Sequence, residues 1–517
     1  MLRKIRISLA ALFFIGLTLL LLDFTGVLHA YLGWMAQVQF LPAVLRLGGD
    51  LVAGQWAAGP LLVAAAIVLG LVLLTFVFGR IYCSVVCPLG VMQDVVGWLS
   101  RKRKKRRYRF SPEKKWLRYG VLSLFGAGLV LSLLTGIGIV VQLLAPYSAF
   151  GRIVNTLLQP LWKLGNNVLA SIAERADSYA FYPTEVWVKS VPVLIIAVVT
   201  LVVVAVLAWR GGRTYCNTIC PVGTVLSFIA RHSLLKIHID TDKCRNCSLC
   251  ARSCKAACID FKNHSIDYSR CVVCGDCIEH CHEGALSYGW AKTEKTANKS
   301  TIARAATPTD AGKRSFLLAS AMLTTAAIAQ EKKKVDGGLA ELEDKKPPRR
   351  GIMPTPPGSL SVRNMAQRCT GCQLCVSACP NGVLRPSVDL MHLMQPTMSF
   401  EHGYCRPECT RCSEVCPTGA IRPIDKEEKT TIQTGHAIVA PWLCLPSSEG
   451  VECGNCARHC PAGAITMVPS DPDDDLSPSV PSVDTEACIG CGACEYLCPV
   501  RPQSAIFVEG HEVHKTI

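Results

Sequence analysis

Cysteine spacing is where this sequence can do chemistry. Cys244, Cys247, Cys250 and Cys254 follow the pattern C-x2-C-x2-C-x3-C, and Cys271, Cys274, Cys277 and Cys281 repeat it. Three thiolates so spaced wrap three corners of a [4Fe–4S] cubane through a tight loop, while the fourth, one helical turn on, faces away to ligate a neighbouring cluster. Cys244, Cys247, Cys250 and Cys281 are therefore assigned to one cluster, and Cys271, Cys274, Cys277 and Cys254 to the other. Zinc would show two separated C-x2-C pairs instead. Lys255 and His282 replace the proline that usually follows the fourth cysteine, and Cys258 is an extra thiol, read as a buried spare with ligation as its alternative.

The theme returns four times near the C-terminus. Cys369, Cys372, Cys375 and Cys379 form the plain motif. Cys405, Cys409, Cys412 and Cys416 open with a longer loop, and Cys444, Cys453, Cys456 and Cys460 with a longer one still. Cys488, Cys491, Cys494 and Cys498 restore the plain spacing. Proline follows each fourth cysteine, and strings such as Pro417-Thr-Gly-Ala-Ile421 and Pro461-Ala-Gly-Ala-Ile465 place small residues where backbone approaches a cluster and Ile where water must be excluded. Six cluster motifs result.

A different cysteine string is duplicated upstream. Tyr82-Cys83-Ser-Val-Val-Cys87-Pro88-Leu-Gly90 and Tyr215-Cys216-Asn-Thr-Ile-Cys220-Pro221-Val-Gly223 share Y-C-x3-C-P-x-G, an internal repeat. Proline after the second cysteine stops a preceding helix from simply continuing, which leaves the thiols at a break. Cys83, Cys87, Cys216 and Cys220 are candidate cofactor-binding residues, with buried structural thiols as the plainer alternative. Six motifs, these two strings and Cys258 account for all 29 cysteines.

The elements that must position these groups are apolar. The chain is 50% hydrophobic and 18% charged, below the roughly 25% of soluble domains. Ile5–Leu22, Gly59–Phe78, Tyr119–Leu144 and Val191–Trp209 each approach or exceed the ~20 residues that span a bilayer core. Basic residues at Arg3, Lys4 and Arg6, at Arg101–Arg109, and at Arg210 and Arg213 fall on one side if the spans alternate, which makes that side cytoplasmic. Residues 23–58 and 145–190 then face outward. Asp23, His29, Gln39, Gln142, Tyr147 and Arg152 are weak candidates near membrane depth. The net charge of +15 is read as topology-fixing rather than as a nucleic-acid face.

The expected organisation is a multi-domain chain: an α-helical membrane bundle over residues 1–235, a two-cluster α+β ferredoxin domain over 236–290, a linker over 291–358, and a four-cluster ferredoxin domain over 359–517. Within the linker, Lys313-Arg314-Ser315-Phe316-Leu317-Leu318, an apolar run and Ala327-Ile-Ala329 have an export-signal layout, or a marginal fifth span at 313–330. A twin-arginine-type route carries folded, cluster-loaded domains outward. The alternative is a cytoplasmic C-terminal domain on a flexible tether.

The four spans, two C-x3-C-P strings and two-cluster insert resemble the NapH family of membrane quinol-oxidising proteins. The Lys-Arg signal and four-motif domain resemble NapG, its periplasmic polyferredoxin, and methylamine-utilisation ferredoxins are similar in layout. The resemblance implies a NapH–NapG fusion carrying electrons from quinol to a periplasmic reductase of the nitrate-reductase type or a small carrier, with membrane lipid and the quinone pool as partners and no nucleic acid. It also implies nested ligation in the last domain: Cys369, Cys372, Cys375 with Cys498; Cys488, Cys491, Cys494 with Cys379; Cys405, Cys409, Cys412 with Cys460; and Cys444, Cys453, Cys456 with Cys416. The location implied is the inner membrane, with 236–290 cytoplasmic and 359–517 periplasmic.

The resulting expectation is a membrane-bound electron relay with six [4Fe–4S] clusters and quinol as donor. Two rivals stand beside it: a maturation factor working through the C-x3-C-P thiols, and a relay from a soluble cytoplasmic donor to quinone. No C-x-x-C-H string is present for attached haem, and no glycine-rich dinucleotide fingerprint follows an expected strand.

Overall fold

The computed structural model describes residues 2–52, 59–104, 108–178, 180–291, 343–471, 473 and 477–517. The expected signal at 313–330 lies outside the described residues.

Among the described residues, four helices are long and apolar enough to cross a membrane: α1 (Leu2–Leu22), α2 (Gly59–Phe78), α3 (Lys115–Thr135) and α4 (Val191–Gly211). Large apolar side chains such as Leu62, Leu134 and Ile195 point outward on them. Small ones turn inward: Ala64 and Thr75 on α2, Gly128 and Ser132 on α3, Ala197 and Ala208 on α4. That is the packing expected in lipid, where close backbone approach replaces hydrophobic expulsion as the force between helices.

The third span departs from the expected Tyr119–Leu144. Its helix ends at Thr135, because Gly136 adopts a left-handed φ of 81° and closes it. Ile139–Leu144 is a separate short helix. The segments 23–58 and 145–190 also hold more structure than loops, including helices Phe40–Val52, Pro146–Ile153 and Gln159–Arg175. A π-helical turn at Val154–Leu158 precedes Pro160, whose missing N–H cannot complete an ordinary helical ladder.

The cysteine-rich parts are small α+β units with two-stranded antiparallel sheets. In the first, Leu235–Ile239 pairs with Leu286–Trp290, and Ile259–Asp260 with Ser265–Ile266. In the second, the pairs are Leu384–Pro386 with Pro396–Met398, Ile432–Val439 with Ile506–Thr516, and Ile465–Pro469 with Ser479–Val483.

These units sit at opposite ends of the bundle. Arg3, at the start of α1, pairs with Asp276 and Glu279 of the first unit. Arg118, at the start of α3, donates to the Ser269 carbonyl, and Phe76, at the end of α2, accepts from the Leu234 N–H. At the other end, Gln367 of the second unit donates to the Leu133 carbonyl in the last turn of α3. Arg368 pairs with Asp50 at 2.6 Å, and Val193 at the start of α4 packs on Leu393 and Met394. A 21-residue helix is about 30 Å long, so the two units stand about a bilayer core apart.

Candidate metal centres

Each plain cluster motif bends its backbone in one way. The residues flanking the second cysteine are left-handed on both sides: Asn246 and Ser248, Val273 and Gly275, Gly371 and Gln373, Gly490 and Gly492. Left-handed φ is costly for a β-branched residue such as Val273, at 50°. The conformation turns successive N–H groups inward as a concave nest for a negatively charged group. Gly371 N–H, for example, donates to Cys369 Sγ at 3.4 Å.

Four cavities are lined by cysteines in sets of three plus one. Cys271, Cys274, Cys277 and Cys254 surround the first, with Ile237, Ile259 and Ile266 closing it. Cys405, Cys409, Cys412 and Cys379 line the second. Cys444, Cys453, Cys456 and Cys498 line the third. Cys488, Cys491, Cys494 and Cys460 line the fourth, with Ile465 over them. Two further sets are close enough to interact electrostatically: Cys250 with Cys244, Cys247 and Cys281, and Cys416 with Cys369, Cys372 and Cys375. The donor chemistry, the three-plus-one arrangement and the inward N–H nests all fit [4Fe–4S] clusters.

These groupings correct the nested ligation implied by the resemblance. The last domain pairs its motifs with their neighbours, so Cys379 and Cys416 exchange between the first two motifs, and Cys460 and Cys498 between the last two. The reason is topological. Each adjacent pair builds its own two-cluster half, and Ile432–Val439 paired with Ile506–Thr516 encloses the second half by itself.

Cys258 lines the same cavity as Cys254 and Cys271, with its Sγ 3.5 Å from that of Cys254. Hydrogen bonding to Cys258 lowers the Cys254 thiol to about 7 and lowers that of Cys271, while the same bonds push Cys258 up. Cys258 thus sits in direct contact with Cys254, inside the cavity that Cys254 and Cys271 line.

The duplicated strings converge. Each of Cys83, Cys87, Cys216 and Cys220 is within electrostatic range of the other three, and each is only 4% exposed. The repeat extends upstream, as Gly79-Arg80-Ile-Tyr82 and Gly212-Arg213-Thr-Tyr215. Each arginine crosses to the other string: Arg80 donates to the Cys216 carbonyl at 3.2 Å, and Arg213 to the Cys83 carbonyl. Gly223 N–H and Gln93 Nε2 donate to Cys220 Sγ and Cys216 Sγ at 3.4 and 3.2 Å.

Sequence reading missed the docking ions. Asp94 accepts Arg213 at 2.7 Å, Lys255 at 2.8 Å and Arg6 at 3.1 Å. The residue in the usual proline position therefore anchors the first cluster unit, and two cations read as topology signals are buried in ion pairs. Of the weak outer candidates, Gln142, Tyr147 and Arg152 are buried beside Cys369 and Cys372. Asp23 instead caps its own turn, accepting from Thr25 and Leu28 N–H and facing His29, and Gln39 accepts from Tyr82.

Family comparisons agree with this anatomy. A 4Fe-4S binding domain family matches residues 60–107 and 190–240, and 4Fe-4S dicluster domain families match 368–420 with 451–501, and 267–383. The ferredoxin-type protein NapH of Haemophilus influenzae is 31% identical over 237 residues, covering 44% of this chain and 67% of that protein. The chain belongs to the family of these NapH ferredoxin-type proteins. The methylamine utilization ferredoxin-type protein MauN of Paracoccus denitrificans is 28% identical over 228 residues, 44% of this chain and 65% of its own. An uncharacterized protein of Methanocaldococcus jannaschii is 36% identical over 94 residues, 18% of this chain and 37% of its own. The chain thus spans about two thirds or less of these relatives. No solved structure matches.

Proposed function

We propose that this protein relays electrons from a quinol to an acceptor on the outer side, through six [4Fe–4S] clusters in two ferredoxin units. The observation that carries this reading is the presence of one cysteine-rich unit at each end of a single four-helix bundle. Each cluster, when bound, supplies a one-electron carrier. The chain's own side chains fix the spacing, dock the units and keep water out, as Ile237, Ile259 and Ile465 do at their cavities.

Quinol oxidation releases two electrons and two protons, and the site must receive both. Among the described residues, Gln142 Oε1, Tyr147 Oη and Ser148 Oγ are buried without hydrogen-bond partners, and Tyr147 lies beside Cys372. A quinol hydroxyl would meet acceptors there, close to a cluster set. Residues 236–290 lie on the cytoplasmic side in this reading, and 359–517 on the periplasmic side with a reductase or small carrier as partner. The maturation rival needs thiols a partner can reach, and 4% exposure at Cys83, Cys87, Cys216 and Cys220 disfavours it. Protease added outside intact cells should cut within 359–517. An uncut domain there would instead favour the relay from a cytoplasmic donor.

A further inference from the structure

We propose that Cys83, Cys87, Cys216 and Cys220 hold a seventh iron–sulfur cluster that links the two ferredoxin units through the middle of the bundle. The inference rests on the relay reading and supplies what that reading lacks, a carrier between its two ends. Tunnelling falls exponentially with distance, and the units are about 30 Å apart along α1.

The four-thiol site reaches toward both ends. On the inner side, Arg80 donates to the Ser269 carbonyl at 3.0 Å, two residues before Cys271, and its other nitrogen lies 3.9 Å from Cys83 Sγ. Cys271 itself is within electrostatic range of Arg80. On the outer side, Tyr215, next to Cys216, interacts with Arg152, which interacts in turn with Cys372. Tyr82, next to Cys83, donates to Gln39 Oε1 and accepts from Phe40 N–H, each at 3.1 Å, so the string touches the outer segment directly. Phe150, one turn from Tyr147, packs on Phe14 midway along α1. One electron would pass between the Cys271 side and the Cys372 side, with no bond made or broken.

The donor set also suits a cluster. Two strings contribute two thiolates each around a pseudo-twofold, the N–H groups of Gly223 and Gln93 aim at sulfur, and Arg80 and Arg213 offset part of the fourfold negative charge. An iron core would offset the rest. Glycine is required at both ends of the arrangement: a Cβ at Gly90 would lie 2.3 Å from the Cys83 carbonyl oxygen, and one at Gly223 would lie 2.5 Å from that of Cys216. Among the described residues no three Cys, His, Asp or Glu side chains converge on a single-ion position.

The test is iron, sulfide and zinc per chain in the anaerobically purified full-length protein and in Cys216→Ser/Cys220→Ser. The variant should lose about two to four irons with matching sulfide and keep the EPR signals of the ferredoxin clusters. Those retained signals show that the protein has folded; should the double variant not accumulate, Cys87→Ser alone should show the same selective loss. Unchanged iron overturns the site, as does stoichiometric zinc lost with the thiols, or a disulfide in the wild type. Iron loss with undiminished electron passage between the units overturns the linking role. Metal counts do not depend on quinol, so a failure of the quinol reading is seen separately, as wild-type protein with full iron that quinol leaves oxidised.

Discussion

Lys255 Nζ lies 2.8 Å from Asp94 Oδ2, joining the residue after a cluster cysteine to the helix that follows the first C-x3-C-P string. Lys255 also reaches Asp276 at 3.4 Å. Removing one member of a buried charged pair costs about 3–5 kcal/mol, because the other is left uncompensated. Lys255→Met should therefore free residues 236–290 to limited proteolysis while the bundle remains membrane-inserted. Resistance equal to wild type would mean that the ion pair does not hold the unit.

The same cluster of charge fixes a pH window. Arg213 and Lys255 overcome the burial of Asp94 and hold its carboxyl well below the ordinary carboxylate range. A depressed folded-state value gives stability that is present above the unfolded value near 4 and is lost only as pH falls through the lower folded value. Proteolytic resistance of this unit should stay flat from pH 8 to 5. A midpoint within that interval would place the docking elsewhere.

Gly151 is a point of close approach between the bundle and the second cysteine-rich unit. A Cβ there would stand 2.3 Å from the Cys372 carbonyl oxygen. Overpacking of this kind costs about 1–3 kcal/mol. Gly151→Ala should lower the melting temperature of the second unit and slow electron entry to it, leaving the first unit unaffected. An unchanged melt would show that the contact yields freely.

Neighbour pairing of motifs predicts a non-additive iron loss. Cys372→Ser and Cys416→Ser strike one cluster, so the double variant should lose the same roughly four irons as either single variant. Under nested pairing the two would strike different clusters, and the losses would add.

His514 makes the C-terminal strand acid-sensitive. Burial, with His511 nearby, lowers its folded value to about 4, and its Nε2 faces Thr355 Oγ1 at 2.9 Å. The unfolded chain takes up the proton near 6.5, so stability is lost as pH falls from 6.5 to 4. His514→Gln should flatten that part of the melting curve measured against pH. An identical slope in the variant would assign the sensitivity to other groups.

Much of the anatomy was legible because its signals are local. Cysteine spacing marks the cluster loops, and unbroken apolar runs mark the spans, with Gly136 the one break that an apolar run conceals. Which motif lends its fourth cysteine to which could not be read, since that depends on how strands Ile432–Val439 and Ile506–Thr516 close a half-domain. Asp94 was invisible for a similar reason, as its partners are Arg6, Arg213 and Lys255, up to 161 positions away. Arg80 and Arg213 did leave a trace. The repeat begins with Gly-Arg four and three residues before each first cysteine, and comparing the two strings a few positions further upstream finds both.

Adding a menaquinol analogue to the anaerobic, full-length protein in detergent and following cluster reduction by EPR, with iron counted in the same sample, decides whether quinol feeds the clusters. At least about 24 irons per chain, and clusters reduced by quinol, are the expected result. A full complement of iron whose clusters stay oxidised with quinol, yet are reduced by dithionite, would contradict it.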